Sequence, residues 1–201
     1  DEGLERNDVF MIALNTGTLE IVKPFTSNGP GLKAALRGLT EVPAGGDSLK
    51  KSKRYLKRTV YNEEIFRVSQ QPSGFSFGSA DQGSANELMY SISSARRLLV
   101  EINNLRQLEY DRIRRALQVT DELVRAVAGI EGRKAIVWVG EDLALRPLLD
   151  VYNVWYSRCL PLESVMTVLQ PEVWGEELKL DREFAAVAAS AQASGATFFL
   201  L

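Results

Sequence analysis

The sequence contains no histidine and a single cysteine, Cys159, in 201 residues. The first absence removes Ser-His-Asp and Cys-His pairs and every imidazole-based zinc site. The second excludes an intramolecular disulfide and any thiolate metal cluster built from one chain, and leaves the redox compartment open. Apolar neighbours around Cys159 point to a buried thiol. No apolar run approaches the length that spans a bilayer, so no membrane insertion is expected. Neither sign of charge dominates: 24 basic residues stand against 26 acidic, a net of −2, which makes no case for a nucleic-acid partner. One basic stretch stands out, at Lys50, Lys51, Lys53, Arg54, Lys57 and Arg58. It reads as a solvated helix face, with phosphate binding as the alternative. Catalysis is left with carboxylates, Lys, Tyr and Ser, and no spacing among them forms a reaction signature.

What is present is ordinary for a soluble globular chain, with 45% hydrophobic and 25% charged residues. The length suits one full domain, or one domain carrying an insertion. A start at Asp1, without Met or a charged-then-apolar leader, reads as a mature product or a piece of something longer, and the second is the expectation here.

Residues 8–14 (DVFMIAL) and 18–22 (TLEIV) are strand-like runs separated by Asn15-Thr16-Gly17, the pattern of a β-hairpin. Pro24 is expected to end the second strand, since it has no ladder donor. Thr26-Ser27-Asn28 is a helix-start cluster before a helix over 30–39, with Leu32, Leu36 and Leu39 on one face. A second helix is expected from Asp47 or Ser48 to about Gln71, and residues 72–84 read as loop. From Ala85 to about Ile130 the chain has no Pro, and no Gly before Gly129. Leu88, Ile92, Ala95, Leu99 and Ile102 recur at steps of four and three, and the stripe resumes at Tyr110, Ile113, Leu117, Thr120, Val124 and Val127. This predicts one very long helix, or two joined near Asn103-Asn104. Burial against the preceding helix is favoured over coiling between molecules, which prefers stronger residues at these positions.

Residues 135–139 (AIVWV) form an unbroken apolar run, the signature of a strand buried on both faces of a parallel sheet. Helices are expected over 147–156, 161–170 and 181–194, the last ended by Gly195. Residues 196–201 (ATFFLL) read as a second buried strand. The fold class is therefore α/β: a mostly parallel, Rossmann-like sheet with an antiparallel hairpin edge. The helical stretch from 47 to 131 exceeds what one crossover needs and reads as a long insertion.

Three segments carry a family resemblance. DVFMIALNTGTLEIVKPFTSNGPGLKAALRGL is similar to the part of von Willebrand factor A-type (VWA) domains where two strands lead into "PFT" and a helix. GRKAIVWVGEDLALRP resembles the next core strand of VWA-related proteins common in Acidobacteria, and FAAVAASAQASGATFFLL resembles their following helix and strand. Together they cover roughly half the chain, while the helices over 47–131 show poor similarity. The resemblance implies a single, incomplete VWA-like domain over 1–201, whose first, central strand would lie upstream of Asp1.

Domains of this type hold a divalent ion through Asp-x-Ser-x-Ser, a Thr and a later Asp, all oxygen ligands suited to Mg²⁺. No Asp-x-Ser-x-Ser occurs here, and Asn15-Thr16-Gly17-Thr18 imitates it without the carboxylate. No cofactor is therefore expected, unless upstream residues complete a Mg²⁺ site. The corresponding loops would place Ser84 (beside Gly83), Gly140, Glu141 and Asp142 at a partner-binding surface. A plain polar loop with Asp142 as a helix cap is the alternative for the last two. Secretion or an envelope location is the family's usual implication.

Other features carry less. Asp81-Gln82-Gly83-Ser84 lacks the alternating carboxylates of a calcium loop. Phe75 and Phe77 are either an exposed patch or folded back onto the helices. Tyr152, Trp155 and Tyr156 read as core. The expected function is a non-enzymatic protein-protein interaction module of VWA type, its partner unidentified. Two other readings stand beside it: an α/β enzyme using Glu141 and Asp142 at a strand terminus, and self-association through the long helices.

Overall fold

A mixed α/β chain is what the computed structural model shows, describing residues 8–15, 18–39, 47–62, 82–139, 143–159, 166–167 and 178–200. In chain order the elements are β1 (Phe10–Asn15), β2 (Leu19–Thr26), α1 (Gly29–Leu39), α2 (Asp47–Asn62) and α3 (Gln82–Val127). Then follow β3 (Lys134–Trp138), α4 (Leu149–Cys159), α5 (Asp181–Ser194) and β4 (Ala196–Leu200). The chain divides into two compact units. The strand unit takes Asp1–Asp47, Asp111–Leu145 and Leu180–Leu201, and the helical unit takes Ser48–Tyr110 and Arg146–Lys179. The expected insertion over 47–131 is thus divided: α3 gives its first part to the helical unit and the rest to the strand unit.

In the strand unit, β1 and β2 pair antiparallel, Asn15 opposite Leu19. Six residues of β1 face eight of β2, and the register shifts between Phe10 and Ile12 and again between Ile12 and Ala13. Pro24 therefore does not end β2. It lies inside the first irregularity, between the pairs Phe10–Thr26 and Ile12–Lys23, where a bulge tolerates a residue without a ladder donor. The turn at Thr16-Gly17 lies outside the described residues. α1 starts as its sequence demands: the Asn28 side-chain oxygen accepts from the Gly31 N–H at 3.1 Å, and Thr26 Oγ1 accepts from the Asn28 N–H at 3.1 Å. The predicted leucine face of α1 is only half used, because Leu36 is exposed while Leu32 and Leu39 are half-buried.

β3 and β4 pair parallel in register from Lys134–Ala196 to Trp138–Leu200. Among the described residues they form a sheet separate from the β1–β2 hairpin, rather than one continuous sheet with a hairpin edge. Nor are they buried on both faces: exposed and half-buried residues alternate along each. An apolar run records what a strand can bury, while the cover itself must come from other elements. Gly195 ends α5 in the left-handed region, with φ 67°, a conformation that costs glycine no Cβ clash. Beside it, Lys134 Nζ donates to the Ser194 carbonyl at 2.9 Å. The second half of α3 keeps its predicted stripe: Ile113, Leu117, Thr120, Val124 and Val127 are all buried.

The helical unit is built on the first half of the same stripe. Ala95, Leu98, Leu99, Ile102 and Leu105 of α3 pack with Leu56 and Val60 of α2 and with Val151, Trp155 and Cys159 of α4. α3 runs unbroken through Asn103-Asn104, so the one-helix alternative holds. α4 begins at Leu149, two residues later than expected, because Leu148 takes φ 52° and is not helical. α4 then reaches Cys159, three residues beyond the expected end. Of the helix expected over 161–170, only Met166 and Thr167 are described, and both are helical. The extension of α2 towards Gln71 lies outside the described residues.

Trp155 is wholly buried and its indole Nε1 donates to the Ala95 carbonyl at 3.1 Å. Tyr152 stacks on Tyr156 with centroids 6.3 Å apart, and the Arg106 guanidinium lies 5.4 Å from the Tyr152 centroid. Burial pushes the Cys159 thiol up to about 12, so at neutral pH it is a protonated core residue and not a nucleophile.

Asp150 ties α4 to α2. Its carboxylate lies 3.5 Å from Lys53 Nζ and 3.3 Å from Lys57 Nζ. Partial burial opposes its ionisation, but the Lys53 charge, the Lys57 hydrogen bond and charge, and the Val151 backbone together hold it below the ordinary carboxylate range. A depressed folded-state value contributes stability above the unfolded-state value, about 4, and that stability is lost as pH falls through the folded-state value. The pair is half exposed, so the contribution is small, at most about 1 kcal/mol. Urea midpoints measured from pH 6 down to pH 2.5 should fall less steeply for Asp150→Asn than for the natural chain. Parallel curves would show that Asp150 contributes nothing.

Candidate interaction surfaces

Of the residues singled out as a site in the sequence, Ser84 is in the first turn of α3, in the helical unit. Gly140, Glu141 and Asp142 lie outside the described residues, as do Phe75 and Phe77. Asn15, in the nearest imitation of a metal motif, is committed elsewhere: its side-chain Nδ2 donates to the Ala116 carbonyl at 2.9 Å. An amide bound in this way braces β1 against α3. It also supplies no carboxylate, so it does not fit the first ligand of a Mg²⁺ site. Among the described residues no three or more of Asp, Glu, Cys or His gather as a metal-binding group. No described helix is long and apolar enough to cross a membrane.

Two surfaces emerge instead. The first is one face of the β3–β4 pair. In a parallel pair, partnered residues project to the same side, so Ala135 with Thr197 and Val137 with Phe199 share a face. That face is open. Val137 is 54% exposed, Phe199 51%, and Val139, just past the carboxyl end of β3, 77%. Single exposed apolar residues are commonplace, but three large ones together on two adjacent strands form a patch.

The second is a groove of about 490 Å³ between α2 and the first half of α3, within the helical unit. Lys51, Ser52, Tyr55 and Leu56 form one wall, and Glu101, Asn104, Leu105 and Leu108 the other. Leu56 and Leu105 are buried at its floor, whereas Tyr55 is 68% and Leu108 58% exposed. The sequence reading does not single out Leu105 or Leu108. The spacing 101, 104, 105, 108 was available as a signal, because it follows one helical face beside the buried stripe. Nothing in the sequence alone states that α2 leaves this face of α3 uncovered.

Compared with known proteins, the chain matches no family model, no curated protein and no solved structure. What the fold defines is a protein of mixed α/β class, with an antiparallel and a parallel strand pair in one compact unit and helices in the other.

Proposed function

We propose that this chain is a non-enzymatic protein-protein interaction module, a VWA-like domain that engages its partner without a metal bound by its own residues. The observation that carries the reading is the open apolar face of β3–β4, with Val137, Val139 and Phe199 exposed side by side. Interface cores combine such apolar residues with a polar rim, and Gly140, Glu141 and Asp142 follow this strand in the sequence. Exposing three large apolar groups costs solvation free energy that a bound partner recovers. In this reading the helices over 47–131, Ser84 among them, are an insertion that adds contact surface to a mostly parallel sheet of the VWA kind.

The experiment is crosslinking and capture of the partner by the immobilised chain, followed by affinity measurement on the purified pair. Val137→Asp with Phe199→Asp should weaken binding by roughly 100-fold, since desolvated interface anchors are each worth about 1–2 kcal/mol or more. Glu141→Ala with Asp142→Ala should weaken it by a smaller factor, and EDTA should leave it unchanged. Loss of binding in EDTA, or indifference to both double substitutions, would sink the proposal.

A further inference from the structure

We infer that the groove between α2 and α3 is a docking site for an acidic segment of a partner protein that carries one large apolar anchor residue. This rests on the interaction reading above and names a second surface and the chemistry it accepts.

Charge comes first. α2 carries six cations and one acidic residue in a chain whose formal net charge is −2, so positive charge is concentrated on this helix. The fold then divides those cations. Lys53 and Lys57 turn to Asp150, whose single carboxylate offsets one of their two charges. Lys50 also has an interaction. Lys51, Arg54 and Arg58 are exposed, with no partner among the described residues. Together with Tyr55 they recur at steps of three, one and three, which puts all four on one side of the helix. Lys51 and Arg58 are seven residues apart, a rise of roughly 10 Å, so their charges can meet carboxylates spread along a short peptide.

The apolar half of the site lies beside this face. A large side chain entering the groove would meet Leu56 and Leu105 at the floor, with Tyr55 and Leu108 on either side. Ser52 and Asn104 at the walls offer donors and acceptors to a peptide backbone. The groove is open, and its volume of about 490 Å³ has room for one or two large side chains. Glu101 in the far wall repels anions within the groove, so an uncharged residue must enter it while the peptide's carboxylates stay on the α2 side; nucleic acid, with a charge on every phosphate, meets that requirement less well. An apolar anchor over Leu56 and Leu105, with carboxylates directed to Lys51 at the groove and to Arg54 and Arg58 on the adjoining face of α2, matches this arrangement.

The test uses the full chain and a labelled 15-residue peptide rich in Glu and Asp with one central Phe. Its comparison probes are the same peptide with Gly for Phe, a single-stranded DNA of equal length, and phosphatidylserine vesicles. Fluorescence anisotropy for the peptides and DNA, and co-sedimentation for the vesicles, should show saturable binding only for the Phe peptide, at least about tenfold tighter than any comparison probe. Arg54→Glu with Arg58→Glu, and separately Leu108→Asp, should each weaken it at least about tenfold while circular dichroism stays unchanged. These positions are exposed, so folding survives the substitutions. Absent Phe-peptide binding, equal binding of DNA or vesicles, or indifference to the Arg54/Arg58 pair would overturn the inference. Val137→Asp with Phe199→Asp should leave peptide binding intact. If the peptide fails while partner capture still depends on Val137 and Phe199, the groove inference falls alone. If capture also fails, the interaction reading falls with it.

Discussion

Replacing Trp155 with alanine should lower stability by about 3–5 kcal/mol, the largest loss expected from any single truncation in the helical unit. Trp155 is wholly buried among Leu98, Leu99 and Ile102 of α3 and the α2 residues Leu56 and Val60. Its removal loses the transfer free energy of the indole and leaves a cavity that three packed helices close only in part. The hydrogen bond from Nε1 to the Ala95 carbonyl adds a directional element, since 3.1 Å is ordinary bonding geometry. Trp155→Phe separates the two contributions. It keeps most of the apolar volume and removes the donor, so about 1–2 kcal/mol should be lost. The measurement is the urea midpoint of the helical signal at 222 nm. A Trp155→Ala midpoint within error of the natural chain would show that α4 does not pack as described.

Asn103→Pro should cost about 3 kcal/mol or more. The sequence left open whether the stretch after Ala85 is one helix or two joined at Asn103-Asn104, and the two answers predict different outcomes. In a continuous helix, proline at 103 removes the N–H bond to the Leu99 carbonyl and its ring clashes with that carbonyl. Ile102 and Leu105, on either side of position 103, both belong to the core, so a kink there displaces packing as well as hydrogen bonds. At a joint between two helices the same substitution would be nearly neutral, because residue 103 would already sit outside helical geometry. Asn103→Ala serves as the control and should stabilise slightly, given alanine's higher helix propensity. Equal helicity and equal midpoints for the Pro and Ala variants would contradict a single helix over Gln82–Val127.

Much of the local structure was legible in the chain. The helical stripe through Ala95, Leu99 and Ile102, resuming at Ile113, is buried as the 3.6-residue period requires, with Ile92 half-buried at its start. Asn28 caps α1 because its short side chain reaches the N–H three residues on. Gly195 closes α5 because no Cβ obstructs a positive φ. Pro24 was misread, since its cost depends on whether the ladder needs its donor, and the bulge removes that need. The start of α4 was misread because nothing in Pro147-Leu148-Leu149 announces that Leu148 adopts a left-handed backbone. Gly140, Glu141 and Asp142, which the family resemblance implies as site residues, fall outside the described residues.

Most helices and strands, the apolar faces of the helices, and the chemistries unavailable to a chain without histidine follow from the sequence by itself. These are local properties, written in period, capping and composition. Only the tertiary structure decided which apolar surface is covered. Residues 135–139 are equally apolar on both sides, yet Ile136 and Trp138 are half-buried while Val137 and Val139 stand open. It also decided what the basic stretch does, since α2's rotation about its axis sends Lys53 and Lys57 to Asp150 and leaves Lys51, Arg54 and Arg58 facing outward. Burial and charge pairing depend on what approaches from elsewhere in the chain, and neither periodicity nor composition encodes that approach.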